Sequence, residues 1–469
     1  MNNWFRFIFN SLALLGLCFF CQLQAHAKPS KINFEIMQLE DEFKTLSSAF
    51  YQDASSYPED SLQEITNTEI LLKDINKLKN KNQSIAAIQL IYYNIDTLKD
   101  NVDTKDVFEF IQLLLDQNEW NLANTLFRAI KDDGDKSLLA TVQFIFAKYH
   151  AQRNEWKQVN KLLKGIATEL SEENAAYANL LNGTALQHLK KHRQALVYYN
   201  KIKPTSQYYR YAQLNSAIAN IRQGWWTDAQ IKIQTLLKKS KKENHDELTN
   251  RLYLVLGYAL LQREYYRDAR DAFRNIGLNS QYTNRALLGI GLTATSQGDF
   301  IGGLNALTIL KDKKTFDLSV DESYLLVPYV YEKLQQEMTV TTSYSEAMNY
   351  YQQRITQLDN ISAQHLNFSS TKYVEKTASL VIKKNSFDYG SKYPESFIKN
   401  YQHILDFESS TKNAKIRKKT QALISKYDST YQKIIADLTN KRKESLKSYL
   451  NQSRYGLARL YDNTTESGK

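Results

Sequence analysis

The sequence reads as an all-α protein made of stacked helical hairpins. Three observations carry that reading. Only 5 prolines and 15 glycines occur in 469 residues, too few for the turns of a sandwich or barrel. Apolar residues recur at helical spacing through most of the chain. A two-helix pattern also repeats, and it is clearest in residues 251–276, RLYLVLGYALLQREYYRDARDAFRNI. There Tyr253, Leu256 and Leu260 mark one face of a first helix, a polar turn follows, and Phe273 and Ile276 continue the inner face of a second. Gly257 and Ala269 fall where the helices must meet. Neither helix hides its apolar face alone, so the hairpins must stack.

In chain order, residues 1–27 read as a secretory leader. Arg6 gives a weakly positive start, an apolar run extends from Phe7 to Phe20, and Ala25-His26-Ala27 offers a small-x-small cleavage signal. The competing reading is an uncleaved anchor, because about twenty residues from Trp4 suffice to span a bilayer. Both cysteines, Cys18 and Cys21, lie in this leader, each behind a bulky residue that argues against lipidation. The mature chain is therefore expected to hold no disulfide and no thiolate site. The expected destination is the bacterial periplasm, with secretion as the variant.

Residues 28–60 form a mixed lead that ends in a turn or linker at Ser55, Ser56 and Pro58. From 61 to 115 the periodicity is helical and the repeat faint. It sharpens at Glu119-Trp120. The small residue of the first helix recurs at Ala147, Gly183, Ala217, Gly257 and Gly291, in steps of 36, 34, 40 and 34. A second small or slender residue follows each by 12, at Val159, Ala195, Ala229, Ala269 and Gly303. A ring precedes each of these by three: Trp156, His192, Trp226, Tyr266 and Phe300. The step of 40 contains the polar segment KKSKKE at 238–243, which suits an extended turn.

Around 317–334 the register changes, and Pro328 should kink or break its helix. Tyr344, Ala347 and Tyr351 then restore a second-helix pattern, giving a last, enlarged repeat. NFSST at 367–371 and NSFDYGSKYP at 385–394 read as loops. From 395 to 462 there is no proline and a single glycine, Gly456, so a long helical hairpin is expected; a coiled coil with another chain is the alternative.

This register resembles the tetratricopeptide repeat family, with Trp120, Trp156, Trp226, Tyr266 and Phe300 in the place of the family's turn aromatic. The resemblance is clearest over 116–310 and extends over 61–360, leaving 361–469 as a C-terminal helical region. The proline that usually closes the second helix is missing from nearly every unit; Pro204, past Tyr199, is the nearest match. The resemblance implies a right-handed α-solenoid whose first helices line a concave groove. Placed on that geometry, the groove candidates are Tyr177, Gln187, Tyr211, Arg222, Arg251, Tyr258, Gln262 and Arg285, with Phe144, Lys148, Ile218 and Leu288 beside them. Tyrosine and arginine can supply much of the energy of a peptide interface.

Chemistry beyond binding has little support in the sequence. His188 and His192 are four apart, a metal-ligand spacing, yet they flank a repeat turn and no acid stands close by in sequence. There is no HExxH, no GxSxG and no glycine-rich phosphate loop. Acid pairs such as Asp321-Glu322 arise freely on helical surfaces. No catalytic residue, metal or cofactor is expected. The net charge of +11 comes without zinc-finger spacing or an arginine-rich tail, so no nucleic-acid partner is expected. The reading is a non-enzymatic periplasmic scaffold or adaptor that binds an envelope protein or peptide. The alternatives are a polysaccharide-handling or export accessory protein with a cell-envelope glycan as partner, a cell-wall glycan hydrolase, and a secreted effector.

Overall fold

Eight helical hairpins closed by one kind of turn make up most of the described residues of the computed structural model. Those residues are 31–55, 64–104, 106–133, 135–240, 246–366, 368, 371–374, 378–390 and 392–466. The leader at 1–27, the linker beyond Ser55 and residues 241–245 of the charged turn lie outside them. Among the described residues no helix is long and apolar enough to cross a membrane.

Helix α1 (Lys31–Ser55) precedes the hairpins. These are α2 (Thr68–Asn80) with α3 (Ser84–Tyr93), then, after the short α4 (Ile95–Asp100), α5 (Val107–Asp116) with α6 (Trp120–Asp133). Next come α7 (Lys136–Gln152) with α8 (Trp156–Leu163), α9 (Glu172–His188) with α10 (His192–Tyr199), and α11 (Tyr209–Arg222) with α12 (Trp226–Ser240). The last three are α13 (Glu247–Gln262) with α14 (Tyr266–Arg274), α15 (Thr283–Ser296) with α16 (Phe300–Lys311), and α17 (Leu318–Lys333) with α18 (Glu337–Ala363). Several first helices start where a side chain caps the free N–H groups. Asp135 accepts from Leu138 at 2.7 Å, Asp246 from Thr249 at 2.8 Å and Asp317 from Val320 at 3.0 Å.

Each hairpin turns on a left-handed residue two places before its second helix: Asn82, Asn118, Asn154, Lys190, Gly224, Glu264, Gly298 and Gln335. The next N–H reaches back five residues, as from Glu119 to the Leu114 carbonyl at 2.7 Å and from Tyr265 to the Leu260 carbonyl at 3.0 Å. That bond closes the first helix and sets the direction of the second. The expected rings Trp120, Trp156, Trp226, Tyr266 and Phe300 each begin a second helix.

The small residue of the first helix lies seven places before this turn residue, and packing explains it. A Cβ on Gly257 would come within 2.5 Å of the Phe273 ring, and one on Gly289 would meet the same ring from the next hairpin at 2.5 Å. The ring is slotted between successive first helices. In the faint early repeats the same slot holds Ile75 and Ile111, which hides the pattern, and in the last it holds Pro328. Of the kink or break expected at Pro328, the break does not occur: helix α17 runs through it.

The chain divides into two compact units. The amino-terminal unit holds α1 to α10, α19 (Ser396–Ser410) and the part of α20 (Ala414–Glu466) up to Thr430. In it, α1 packs along α3, α6 and α19. Phe407 stacks on Phe50 at 4.3 Å and on Phe43 at 6.0 Å, and Lys426 pairs with Glu42 at 2.7 Å.

The carboxy-terminal unit holds the remaining hairpins, from Gln213 in α11, and α20 from Tyr431. Here α20 pairs with α18 in descending order, Thr439 with Ser362 and Lys443 with Asp359. It pairs with α17 in ascending order, Tyr449 with Glu322 and Arg459 with Glu332. It is thus antiparallel to α18 and parallel to α17, as a ninth first helix would be, and it covers the open face of the last hairpin.

The expected loop at 385–394 is instead partly strand. An antiparallel sheet of β1 (Lys372–Val374), β2 (Ser379–Ile382) and β3 (Asn385–Asp388) occupies this stretch. Leu380, Ile382 and Phe387 alternate into the core. Lys383 and Lys384, both at positive φ, form the two-residue turn, and neither residue type announces it in sequence.

Candidate functional site

Which helices can present a surface follows from how much of each is buried. Helix α13 buries 12 of its 16 residues, whereas α14 buries 3 of 9. First helices are enclosed on most sides, and second helices are amphipathic.

In the amino-terminal unit Tyr177 is half-buried. Its ring stacks on Tyr208 at 4.9 Å and meets Phe144 edge-on at 5.6 Å, and burial raises the pKa of its hydroxyl. Gln187 is only 8% exposed and accepts the Tyr199 hydroxyl at 2.8 Å. Tyr211 is 48% exposed. In the carboxy-terminal unit Tyr258 is 4% exposed; its hydroxyl donates to the Arg285 carbonyl at 2.9 Å, and burial pushes its pKa up. Arg251 and Arg285 are half-buried near Tyr282, whose hydroxyl burial raises and the two guanidinium groups pull back down. Arg222 and Gln262 are exposed. Phe144, Ile218 and Leu288 are buried.

Gln187 and Tyr258 thus face packed interior and offer no surface in the folded chain. For Tyr258 the reason is geometric: successive first helices touch through the positions that a groove assignment uses, so its hydroxyl is spent on the next hairpin. The residues that stay accessible lie nearer the helix ends. Tyr177, Tyr211, Arg251 and Arg285 all stand 13 residues before their turn residue.

A second accessible row, at the turns, escapes a sequence reading because each member looks like ordinary repeat filling. Trp225, Tyr265, Ile301 and Met338 lie in the first turn of the second helices or just before it, and they are 37, 54, 66 and 88% exposed.

Asp321 and Glu322, read as surface acids in the sequence, are buried. Asp321 pairs with Arg442 at 2.6 Å, lies 3.9 Å from Arg354 and accepts the Tyr350 hydroxyl at 2.6 Å. Glu322 accepts the Tyr449 hydroxyl at 3.0 Å, and burial pushes its carboxyl up to about 7. In the amino-terminal unit burial likewise pushes Glu119 up to about 7, against the bond from the Leu122 N–H at 3.1 Å. Carboxyls raised this far often mark reactive sites. Both of these are sealed from solvent by their own packing, so they hold helices together. His188 stacks on Trp156 at 4.0 Å, and His192 opens α10. Among the described residues no three His, Cys, Asp or Glu side chains are grouped to hold a metal.

No family model matches the chain, and no curated protein matches it. Solved structures similar to it include the quorum sensor NprR from B. thuringiensis, at 11% identity and a TM-score of 0.37, covering 77% of this chain and 99% of that one. Another is a signal-transduction ATPase with a tetratricopeptide repeat sensor from Pyrococcus horikoshii, at 13% identity and a TM-score of 0.33, covering 97% of this chain and 71% of that one. The TPR domain of P58(IPK) shows 12% identity and a TM-score of 0.21 over 68% of this chain and 92% of its own. The hairpin architecture is carried by the eight turns of the chain itself.

Proposed function

We propose that the chain is a non-enzymatic helical-repeat scaffold that holds a partner protein or peptide in the bacterial periplasm. The observation that supports this is the row of rings and cations kept accessible at one hairpin position. These are Tyr177 and Tyr211 in the amino-terminal unit, and Arg251 and Arg285 in the carboxy-terminal unit. Such residues are not needed to close a hairpin, and they are the types that dominate binding energy at interfaces. The leader-like residues 1–27 support export.

The test is affinity capture from envelope extracts with residues 28–469, set beside a variant carrying Tyr211→Ala, Arg251→Ala and Arg285→Ala. Loss of specific partners from the variant is expected; an unchanged partner set would remove the basis for the proposal. Fractionation checks the compartment: a species that keeps residues 1–27 and sediments with the inner membrane would contradict release into the periplasm.

A further inference from the structure

The carboxy-terminal end of α20 copies the register of a first helix. A Cβ added to Gly456 would meet the Tyr344 ring at 2.5 Å, as one on Gly289 would meet Phe273. Tyr344 and Phe273 hold the same place, nine residues past their turn residues. Seven residues before each glycine stands a tyrosine that reaches the preceding hairpin: Tyr282 lies near Arg251, and Tyr449 donates to Glu322 at 3.0 Å. Arg251 and Glu322 again share one place, 13 residues before the turn residue. In this register Ala458 is the counterpart of Gly291, which packs on Leu307 of its own second helix.

Among the described residues no second helix follows α20, and the face it would cover is open. Asn451, Arg454, Tyr455, Ala458, Tyr461 and Asp462 are all exposed, at the three- and four-residue spacing of one helix face. The two rings are 53 and 59% exposed. In α15 the counterparts of Tyr455, Ala458 and Tyr461 are Leu288, Gly291 and Ala294, all buried. The open face is also self-complementary. Tyr455 and Tyr461 lie three residues to either side of Ala458, and Arg454 and Asp462 lie four. Two copies laid antiparallel and crossing at Ala458 therefore set Tyr455 against Tyr461 of the second copy and Arg454 against its Asp462, each twice, as a twofold axis requires. The small Ala458 lets the two backbones approach. A parallel pair would instead set Arg454 against Arg454 and Asp462 against Asp462. We propose that the chain pairs with a second copy of itself through this face of α20, each copy supplying the helix that the other lacks. A few turns of one helix make a small interface, so the pair should form at roughly micromolar concentrations.

Sedimentation velocity of residues 28–469 over about 1 to 100 μM should show a monomer–dimer equilibrium. Arg454→Asp and Asp462→Arg should each weaken it at least about tenfold, and the two together should restore it, because the exchanged charges still face each other. Both side chains are exposed, so these variants should melt with the parent. A second measurement leaves the charges alone. Both cysteines of the chain lie within residues 1–27, so Ala458→Cys gives residues 28–469 a single thiol. Mild oxidation should link that variant into a dimer, whereas Ser425→Cys, at an exposed site on the same helix, should stay unlinked. A monomer at every concentration, a dimer that the single charge reversals leave intact, a double variant as weak as the singles, or equal linking of the two cysteine variants would overturn the proposal.

Discussion

In the amino-terminal unit the buried acid Glu40 faces the Arg153 guanidinium at 3.3 Å and also accepts the Ser396 hydroxyl at 2.5 Å. In the carboxy-terminal unit the buried Asp321 faces Arg442 at 2.6 Å and Arg354 at 3.9 Å. Both networks fasten the C-terminal helices to a stack of four hairpins: Ser396 belongs to α19 and Arg442 to α20. They differ in what remains when a cation is lost. Glu40 keeps a neutral donor on the docking helix, whereas Asp321 loses its only link to α20 among the contacts described above. Asp321 still keeps Arg354 and the Tyr350 hydroxyl, so the loss of Arg442 should release α20 without stranding the buried charge, whereas the loss of Arg153 leaves Glu40 without a cation but still held to α19.

The largest expected effect probes that contrast. Arg442→Met should cost about 3–5 kcal/mol in urea unfolding, and hydrogen exchange over 443–462 should accelerate. Arg153→Met should cost a similar amount, about 3–5 kcal/mol, because it leaves Glu40 without a cation, while hydrogen exchange in α19 should change less because Ser396 still holds Glu40. Equal acceleration in α19 and α20 would erase the distinction between the networks.

A smaller effect is common to both units. Burial holds Glu119 and Glu322 near 7, above their ordinary value of 4.5. The fold therefore favours their neutral forms. Their contribution is complete below pH 4.5 and is lost as pH rises through about 7. Between pH 5 and 8 each should forfeit about 2 kcal/mol, and Glu119→Gln or Glu322→Gln should each flatten part of the slope in urea midpoints. A stability that rises over this interval through these groups would invert the assignment.

Gly257→Ala and Gly183→Ala compare the slots that receive a ring. Phe273 is pinned between Gly257 and Gly289, whereas among the described glycines Gly183 alone would bring an added Cβ onto Tyr199. Both changes should lower the melting midpoint, with a cost of about 1–3 kcal/mol and the larger loss at Gly257. The smallest effect is a gain. Glu264→Gly and Lys190→Gly relieve left-handed turns at φ 64° and 60°, and each should add about 0.5–1 kcal/mol. The amino-terminal unit, whose four turns contain no glycine, has more sites open to such gains.

The hairpin register was legible wherever its slots hold small residues. It faded where Ile75 and Ile111 fill the same slot, because a bulky aliphatic there looks like ordinary helix. The Lys383–Lys384 turn was invisible for a related reason: two lysines at positive φ carry none of the usual turn chemistry. The groove candidates were legible by position and not by exposure. Nothing local to Tyr258 tells that its hydroxyl reaches the carbonyl of Arg285 in the next hairpin.

Residue spacing dictates the helices of the hairpins, their pairing and their order. The contacts that enforce these lie within one or two hairpins, as Gly257, Phe273 and Gly289 do. Which of those residues reach water, and which acids are buried, depends on packing between helices distant in the chain. That packing also places α20 on the last hairpin, because the partners of Asp321 and Glu322, namely Arg354, Arg442 and Tyr449, are brought together by helices far apart in the chain.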